Sequence, residues 1–189
     1  MSNTADTQIK VLMHICCAPC SIYTLKKLRE EGMRVSGYFY NPNIHPYTEF
    51  IKRLDTLRDY AGNTALPLVI DRTYDLRTFL KGALDYGEER CLFCYRLRLD
   101  KAFRKGLEDR ADAVTTTLLY SRYQRHDDIR RIGEELSAVH GIPFLYRDFR
   151  IGWKEGVIES KAQKMYRQQY CGCIFSEWER YGRTDARTG

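Results

Sequence analysis

The stretch VLMHICCAPC, residues 11–20, carries the two signals that decide the fold. Residues 11–16 are mostly apolar, which is typical of a short buried strand. Pro19 suits the first turn of a helix and Gly32 suits its C-terminal end, and the apolar residues between them recur at helical spacing. The stretch therefore predicts a buried strand that leads directly into a helix.

The alternation of strands and helices continues along the chain. Strands that alternate with helices of this length form parallel βαβ units with right-handed crossovers. We expect a Rossmann-like α/β fold: a doubly wound, mostly parallel sheet of about five strands with helices on both faces. If the first strand is central, the cysteines after it lie at the ligand crevice of the sheet. Further strands are predicted at 34–40, 68–70, 113–119 and 143–146, and helices at 46–60, 75–84, 92–108 and 127–139.

Length and composition are those of one globular domain. The 189 residues are 43% hydrophobic and 30% charged, which is an ordinary globular balance and enough to bury a core. No linker or repeat divides the chain, so we expect one domain over residues 9–180 with flexible tails at 1–8 and 183–189. No run of about 18 apolar residues predicts a membrane span, and residues 1–10 lack the pattern of a secretory signal. We expect a cytoplasmic protein.

Seven cysteines in a cytoplasmic protein point to metal ligands or redox groups. Cys91 and Cys94 have C-x-x-C spacing, which lets two thiols reach one metal; half-buried helix cysteines are the alternative. Together with Cys16 and Cys17 they would provide four thiolates, a set that suits tetrahedral zinc or an iron–sulfur cluster. The adjacency of Cys16 and Cys17 favours a cluster, because neighbouring thiols can bind separate irons. Cys20 is then an alternative ligand, a ligand to a second metal, or a packed helix residue.

The third cysteine pair is Cys171 and Cys173, separated by Gly172. A disulfide between them would close a very small ring, which needs the conformational freedom of glycine and is easily reduced. The spacing favours a redox pair that stores two electrons. Two uninvolved buried cysteines, or two extra metal ligands, are the alternatives.

The net charge of +6 is compatible with a polyanionic partner such as RNA, or with an ordinary solvated surface. Aromatic and basic residues alternate after the predicted fourth strand, a pattern that can stack unpaired bases and bind phosphates. Residues after the second strand can shape a substrate pocket or simply form a turn. The candidate substrate-binding residues are Asn41, His45, Tyr120, Arg122, Tyr123 and Arg150, with Asn43, Arg125, His126, Arg130, Arg131 and Arg147 near them in sequence.

Six segments together resemble the cobalamin-independent epoxyqueuosine reductases of the QueH type, in order and at plausible intervals from about residue 10 to 178. The resemblance implies reduction of the epoxide of epoxyqueuosine at the wobble position of tRNA, with an external electron donor. It implies a [4Fe–4S] cluster on Cys16, Cys17, Cys91 and Cys94, and a redox-active pair at Cys171 and Cys173. The segments are residues 14–20 (HICCAPC), 38–46 (YFYNPNIHP), 89–98 (ERCLFCYRLR), 115–119 (TTTLL), 146–150 (YRDFR) and 166–173 (YRQQYCGC).

Reduction of an epoxide to an alkene needs two electrons, two protons and a group that stabilises the leaving oxygen. A second iron or a general acid can meet the last need. The candidate acids are His14, Tyr40, His45 and Asp148, of which we assign Asp148 to the catalytic set. A histidine beside a strand also serves as a packing or capping residue.

Two other classes of protein share parts of this pattern. ATP-using tRNA-modifying enzymes place a phosphate loop after the first strand, but here that loop is CCAPC, without the glycines that bind pyrophosphate. The dinucleotide fingerprint is also missing, so no nicotinamide cofactor is predicted. A zinc-stabilised RNA-binding module without redox activity explains the charge and one four-thiol site. It leaves Cys171 and Cys173 unexplained.

Overall fold

The computed structural model describes residues 8–185. Within that range, one sheet of four parallel strands has the order β3-β2-β1-β4, which confirms the α/β class and the central position of the first strand. The helices that pack on this sheet bury one large hydrophobic core, and a smaller cluster forms around Phe79, Ala83 and Cys173. The strands are β1 (Lys10–His14), β2 (Arg34–Phe39), β3 (Leu68–Ile70) and β4 (Ala113–Thr116).

Seven α-helices lie in the described residues, and the first five follow the predictions closely. None of the helices in residues 8–185 combines the length and apolar character needed to span a bilayer. The last helix extends to Asp185, so residues 183–185 of the predicted C-terminal tail are helical. Residues 1–7 and 186–189, which make up the rest of the two predicted tails apart from residue 8, lie outside the described range. The helices are α1 (Ala18–Glu30), α2 (Tyr47–Asn63), α3 (Leu76–Asp85), α4 (Arg90–Glu108), α5 (His126–His140), α6 (Trp153–Ala162) and α7 (Ile174–Asp185).

The strand order reverses at β1. The chain moves from β1 outward to β2 and β3 on one side, and β4 then pairs with the opposite edge of β1. The carboxyl ends of β1 and β4 therefore form the crevice in which doubly wound sheets bind ligands. Cys16 and Thr117 meet there, because the Cys16 amide donates to Thr117 Oγ1 at 3.0 Å.

The predicted fifth strand is wrong, because residues 143–146 make only an isolated bridge between Val114 and Phe144. Pro143 has no amide proton to extend the ladder, and the Tyr146 amide turns back to the Phe144 carbonyl at 3.0 Å. The predicted β4 is also too long. Thr116 Oγ1 accepts from the Leu118 amide at 3.1 Å and starts a 3₁₀ helix, Thr117–Tyr120.

Candidate metal centre

Three thiols cluster where β1 leads into α1. The Sγ atoms of Cys16, Cys17 and Cys20 lie within 4.8 Å of one another, and all three residues are buried. Cys17 is the N-cap of α1 and Cys20 lies in its first turn, so the positive end of the helix faces these sulfurs. Thr117 Oγ1 lies 3.2 Å from Cys16 Sγ. A buried cluster of thiols at a helix N-terminus is chemically suited to bind a soft metal as thiolates.

The hydrogen bonds of this cluster favour one thiolate, at Cys16. The pKa of Cys16 is lowered, chiefly because the Cys17 and Cys20 thiols donate to its sulfur. Burial raises the pKa of Cys17. The pKa of Cys20 is raised mainly because its thiol donates to Cys16 and Cys17. Binding of a metal by these thiols as thiolates would release the protons that they carry.

A second set of thiols lines one pocket between α3, α4 and the chain before α7. Cys91 and Cys94 project from the first turn of α4, and Cys171 and Cys173 complete the set. Burial raises the pKa of Cys91 and raises that of Cys94 to about 11. All four are free thiols in the structure, so the predicted disulfide between Cys171 and Cys173 is not present and stays a prediction.

Cys171 is the acidic thiol of the second set. Its residue is exposed, whereas Cys173 is 8% exposed. The hydrogen bond from the Cys173 thiol lowers the pKa of Cys171 to about 5, and the same hydrogen bond raises the pKa of Cys173. Ser176 Oγ lies 3.2 Å from Cys171 Sγ and donates to the Cys173 carbonyl at 2.7 Å. At neutral pH the pair is therefore one thiolate and one thiol.

Arg98 connects the second set of thiols to the end of β1. This residue is 3% exposed. Its Nη1 lies 3.8 Å from Cys94 Sγ, and its Nη2 donates to Asn41 Oδ1 at 2.6 Å. Asn41 Nδ2 in turn donates to the Ile15 carbonyl at 2.8 Å, next to Cys16. The guanidinium is thereby fixed relative to both cysteine-bearing segments.

Hydrogen bonds from α2 hold the 166–173 segment, which contacts the first set of thiols and forms part of the second. Arg53, 2% exposed, donates to the carbonyls of Cys171 at 2.9 Å and Tyr170 at 3.1 Å, while its Nε pairs with Glu49 at 2.7 Å. Gln168 Nε2 donates to Cys17 Sγ at 2.9 Å. This one segment therefore reaches the first set of thiols through Gln168 and supplies half of the second set.

Gly172 is required where this segment contacts the loop after β2. Its φ is +137°, and a Cβ there would come within 3.0 Å of Asn43 Nδ2 and 3.3 Å of Arg53 Nη1. The Gly172 carbonyl accepts from the His45 amide at 2.7 Å. The role of glycine here is therefore close approach as well as backbone freedom.

The structure places the predicted proton donors in different environments. His14 is fully buried and its pKa is lowered to about 3, chiefly by burial. Its Nε2 donates to the Tyr40 carbonyl at 3.1 Å and its Nδ1 contacts Thr116 Oγ1 at 2.9 Å, so it is a neutral structural residue. Asp148 forms two charge-assisted hydrogen bonds with Arg150, which lowers its pKa and keeps it ionised. The structure thus gives Asp148 a capping role and argues against its assignment as a proton donor.

His45 and Tyr40 are the other two candidate acids, and His45 lies beside the segment that carries Cys171 and Cys173. His45 is 1% exposed, its ring packs edge-on against Phe79 of the pocket wall, and neither ring nitrogen makes a well-formed hydrogen bond to the described residues. Burial lowers the pKa of His45, while the Pro42 carbonyl opposes that shift. Burial raises the pKa of Tyr40. Both side chains are neutral near pH 7.

The predicted RNA-binding residues divide into buried and exposed groups. Tyr120 is 4% exposed and its hydroxyl donates to the Trp153 carbonyl at 3.0 Å. The amide nitrogen and the amide oxygen of Asn41 both form hydrogen bonds within the protein. These two residues support the site rather than face a substrate. Tyr123, by contrast, is 83% exposed, and Arg122 lies over the Trp153 ring at 4.7 Å.

The other arginines in this group are engaged on the surface. Arg130 pairs with Glu134 at 2.8 Å and Arg131 with Glu135 at 2.7 Å, one helical turn on. Arg147 contacts Glu31 at 3.4 Å. These pairs match the alternative of an ordinary solvated surface.

The main residues that the sequence analysis missed are Arg53, Arg98, Thr117 and Gln168. Arg98, Thr117 and Gln168 lie inside the segments that resemble the family, so the sequence marked their positions. It did not show which residues they contact. Thr117 and Gln168 each reach a cysteine that is distant in the sequence, and Arg98 reaches Cys94 one turn earlier on its own helix. Arg53 lies within an amphipathic helix and carries no local signal at all.

Comparison with known proteins agrees with this geometry. A family model described as epoxyqueuosine reductase QueH matches residues 11–179. The epoxyqueuosine reductase QueH of Dehalococcoides mccartyi is 33% identical over 177 residues, which is 94% of this chain and 97% of that protein. The protein of the same name from Thermotoga maritima is 33% identical over 179 residues, covering 90% of this chain and 91% of its own.

A solved structure shares the fold. The U34-tRNA thiolase NcsA from Methanococcus maripaludis, with its [4Fe-4S] cluster, superposes with a TM-score of 0.60 over 89% of this chain. This chain covers 61% of the thiolase, and the sequence identity is 16%. The likeness concerns the fold alone.

Proposed function

Because the chain belongs to the epoxyqueuosine reductase QueH family, we propose that it reduces the epoxide of epoxyqueuosine at the wobble position of tRNA to queuosine. The protein is an oxidoreductase of tRNA queuosine biosynthesis. In this reaction two C–O bonds break, a C=C bond forms, and the oxygen leaves as water after uptake of two electrons and two protons. The observation that carries the proposal is the buried cluster of three thiols at the carboxyl end of β1, with a second set of thiols linked to it through Arg98 and Asn41.

The proposed cluster is a [4Fe–4S] cluster on Cys16, Cys17, Cys91 and Cys94. These four sulfur ligands fit such a cluster, because soft thiolates at two helix N-termini suit iron and sulfide. Arg98 supports the fit further, since a buried cation without a carboxylate needs a negatively charged neighbour. A cluster bound there would supply electrons one at a time. Cys20, whose sulfur lies close to those of Cys16 and Cys17, is the candidate ligand of a second iron.

The proposed dithiol is Cys171 and Cys173. Oxidation of the thiolate and the thiol to one disulfide releases two electrons and one proton. The epoxide reduction takes up both electrons and that proton, and its second proton comes from water or from a proton-donating side chain. Their position beside Cys91 and Cys94 in one pocket supports this role. An external electron donor then returns the disulfide to two thiols. His45, a buried imidazole against the pocket wall, is the remaining candidate for a group that handles a proton.

Metal analysis tests this proposal directly. Iron, zinc and acid-labile sulfide are measured on anaerobically purified protein, together with a visible spectrum and turnover of epoxyqueuosine tRNA. We expect about four irons and four sulfides per chain, or more iron than sulfide if Cys20 binds a second ion. Cys91→Ser should lose the cluster, whereas Cys171→Ser should keep it and lose turnover. Stoichiometric zinc without sulfide, after attempted reconstitution, would instead favour the zinc-stabilised RNA-binding module.

A further inference from the structure

Arg98 is a buried cation that no carboxylate balances in the described part of the chain. Its guanidinium donates to the neutral amide of Asn41 and contacts the Cys94 thiol, and its Nε has no hydrogen-bond partner among residues 8–185. Arg53, the other deeply buried arginine of the site, differs because it pairs with Glu49. An uncompensated buried charge costs several kcal/mol. The site around Arg98 is therefore built for an anionic occupant.

The groups that can carry this negative charge are sulfurs. Nη1 of Arg98 lies 3.8 Å from Cys94 Sγ. Its Nη2 donates to Asn41 Oδ1 at 2.6 Å, and Asn41 donates to the carbonyl of Ile15, the residue before Cys16. The guanidinium is thus held against a thiol of one proposed ligand pair and is linked through Asn41 to the segment that carries the other pair.

We propose that Arg98 is the counter-charge of the iron–sulfur centre and a positioning residue that raises its reduction potential. This inference rests on the cluster assignment made under the proposed function. A cluster with four thiolate ligands is anionic and gains one further negative charge on reduction. A nearby buried cation stabilises the more negative state more strongly, and charge and hydrogen bonds to sulfur are what set such potentials.

The test is a redox titration of the anaerobically purified holoenzyme. In Arg98→Gln, we expect the ratio of reduced to oxidised cluster at a fixed applied potential to fall at least tenfold, which is about 59 mV for a one-electron couple. Arg98→Lys keeps the charge and should shift the ratio less. Arg104→Gln is the matched control: it removes a cation from the same helix, but Arg104 is 63% exposed and paired with Asp100, so the ratio should change less than twofold.

The outcomes separate this inference from the proposed function. Wild-type protein without iron and sulfide would refute the function, before any variant is made. A loaded Arg98→Gln protein with an unchanged potential would overturn the counter-charge role. Cluster loss in both Arg98 variants, with the fold retained, would also overturn it, because lysine supplies the same charge. Loading that fails with glutamine and returns with lysine would support it.

Discussion

Cys16 and Cys171 are the residues whose chemistry distinguishes the two sets of thiols. Each has a lowered pKa, and the thiols that donate to it have raised pKa values. In each set the hydrogen bonds therefore favour the thiolate of one cysteine over those of its neighbours. The arrangement suits both proposed roles, since metal binding releases protons from the first set and a dithiol needs one thiolate to react.

The pH profile of thiol alkylation tests the character of Cys171. Iodoacetamide reacts with the thiolate, and the pKa of Cys171 is about 5. Because this pKa is depressed, we expect the rate at Cys171 to stay constant from pH 8 down to about pH 6 and to fall through pH 5. Mass spectrometry of the modified peptide gives the rate.

Cys173→Ala is the informative variant for this profile. It removes the hydrogen-bond donor that lowers the pKa of Cys171, so the midpoint should move up toward the ordinary cysteine range of about 8.5. A wild-type midpoint already near that value would show that Cys171 is an ordinary thiol.

Among the elements, α2 is the one that holds the 166–173 segment. Arg53 and Glu49 are one turn apart on its buried face, and Glu49 also accepts a hydrogen bond from the Tyr166 hydroxyl. Arg53→Met would break the hydrogen bonds to the segment and leave the Glu49 carboxylate buried without its cation. We expect a loss of about 3–5 kcal/mol in the free energy of unfolding, measured by urea denaturation.

Arg58→Met is the control for this prediction on the same helix. Arg58 is 44% exposed and lies 3.5 Å from Asp55, so its loss should change stability by only about 0–1 kcal/mol. Limited proteolysis should also cut the 166–173 segment faster in Arg53→Met than in Arg58→Met. Equal stability of the two variants would mean that the buried pair does not hold the segment.

Some of these elements could be predicted from the sequence and others could not. The first strand and helix were identified because an apolar run, a proline and a helical spacing agree locally. By contrast, α6 buries only Gly156 and Ser160 and shows no apolar repeat, so nothing in its pattern marks a helix. The fifth strand failed because its apolar residues pack on the core without extending the ladder.

At the scale of the whole molecule, the sequence identifies the cysteines as candidate ligands, but it does not identify the residues from other segments that surround them. Residue type and spacing identify thiols that can bind metal. No local pattern encodes that Gln168 reaches Cys17, 151 positions away, or that Arg98 contacts Asn41, 57 positions away. Such contacts follow from the βαβ topology, which brings distant segments to one edge of the sheet.

The distribution of charge and aromatic residues over the whole molecule bears on where we expect the tRNA to bind. Although the net charge is +6, Arg130 and Arg131 are already ion-paired. Tyr123 is 83% exposed, and the next residue, Gln124, lines the thiol pocket and accepts a hydrogen bond from Tyr95 at 2.8 Å. Tyr123 is therefore the exposed sequence neighbour of a residue that lines the pocket, and we expect its ring to stack a base of a single-stranded anticodon loop at the pocket rim.

Tyr123→Ala should weaken binding of an anticodon stem–loop by about tenfold, since stacking of one base on an aromatic ring contributes roughly 1–3 kcal/mol. Fluorescence anisotropy at two salt concentrations measures the affinity. Tyr123→Phe retains the ring and should bind like the wild type. Arg131→Gln removes a surface charge on α5 and should change affinity less than twofold at the higher salt concentration. If Arg131→Gln weakened binding as much as Tyr123→Ala, the tRNA would lie along the face of α5 and not at the pocket rim, because binding would then depend on the charge of that helix.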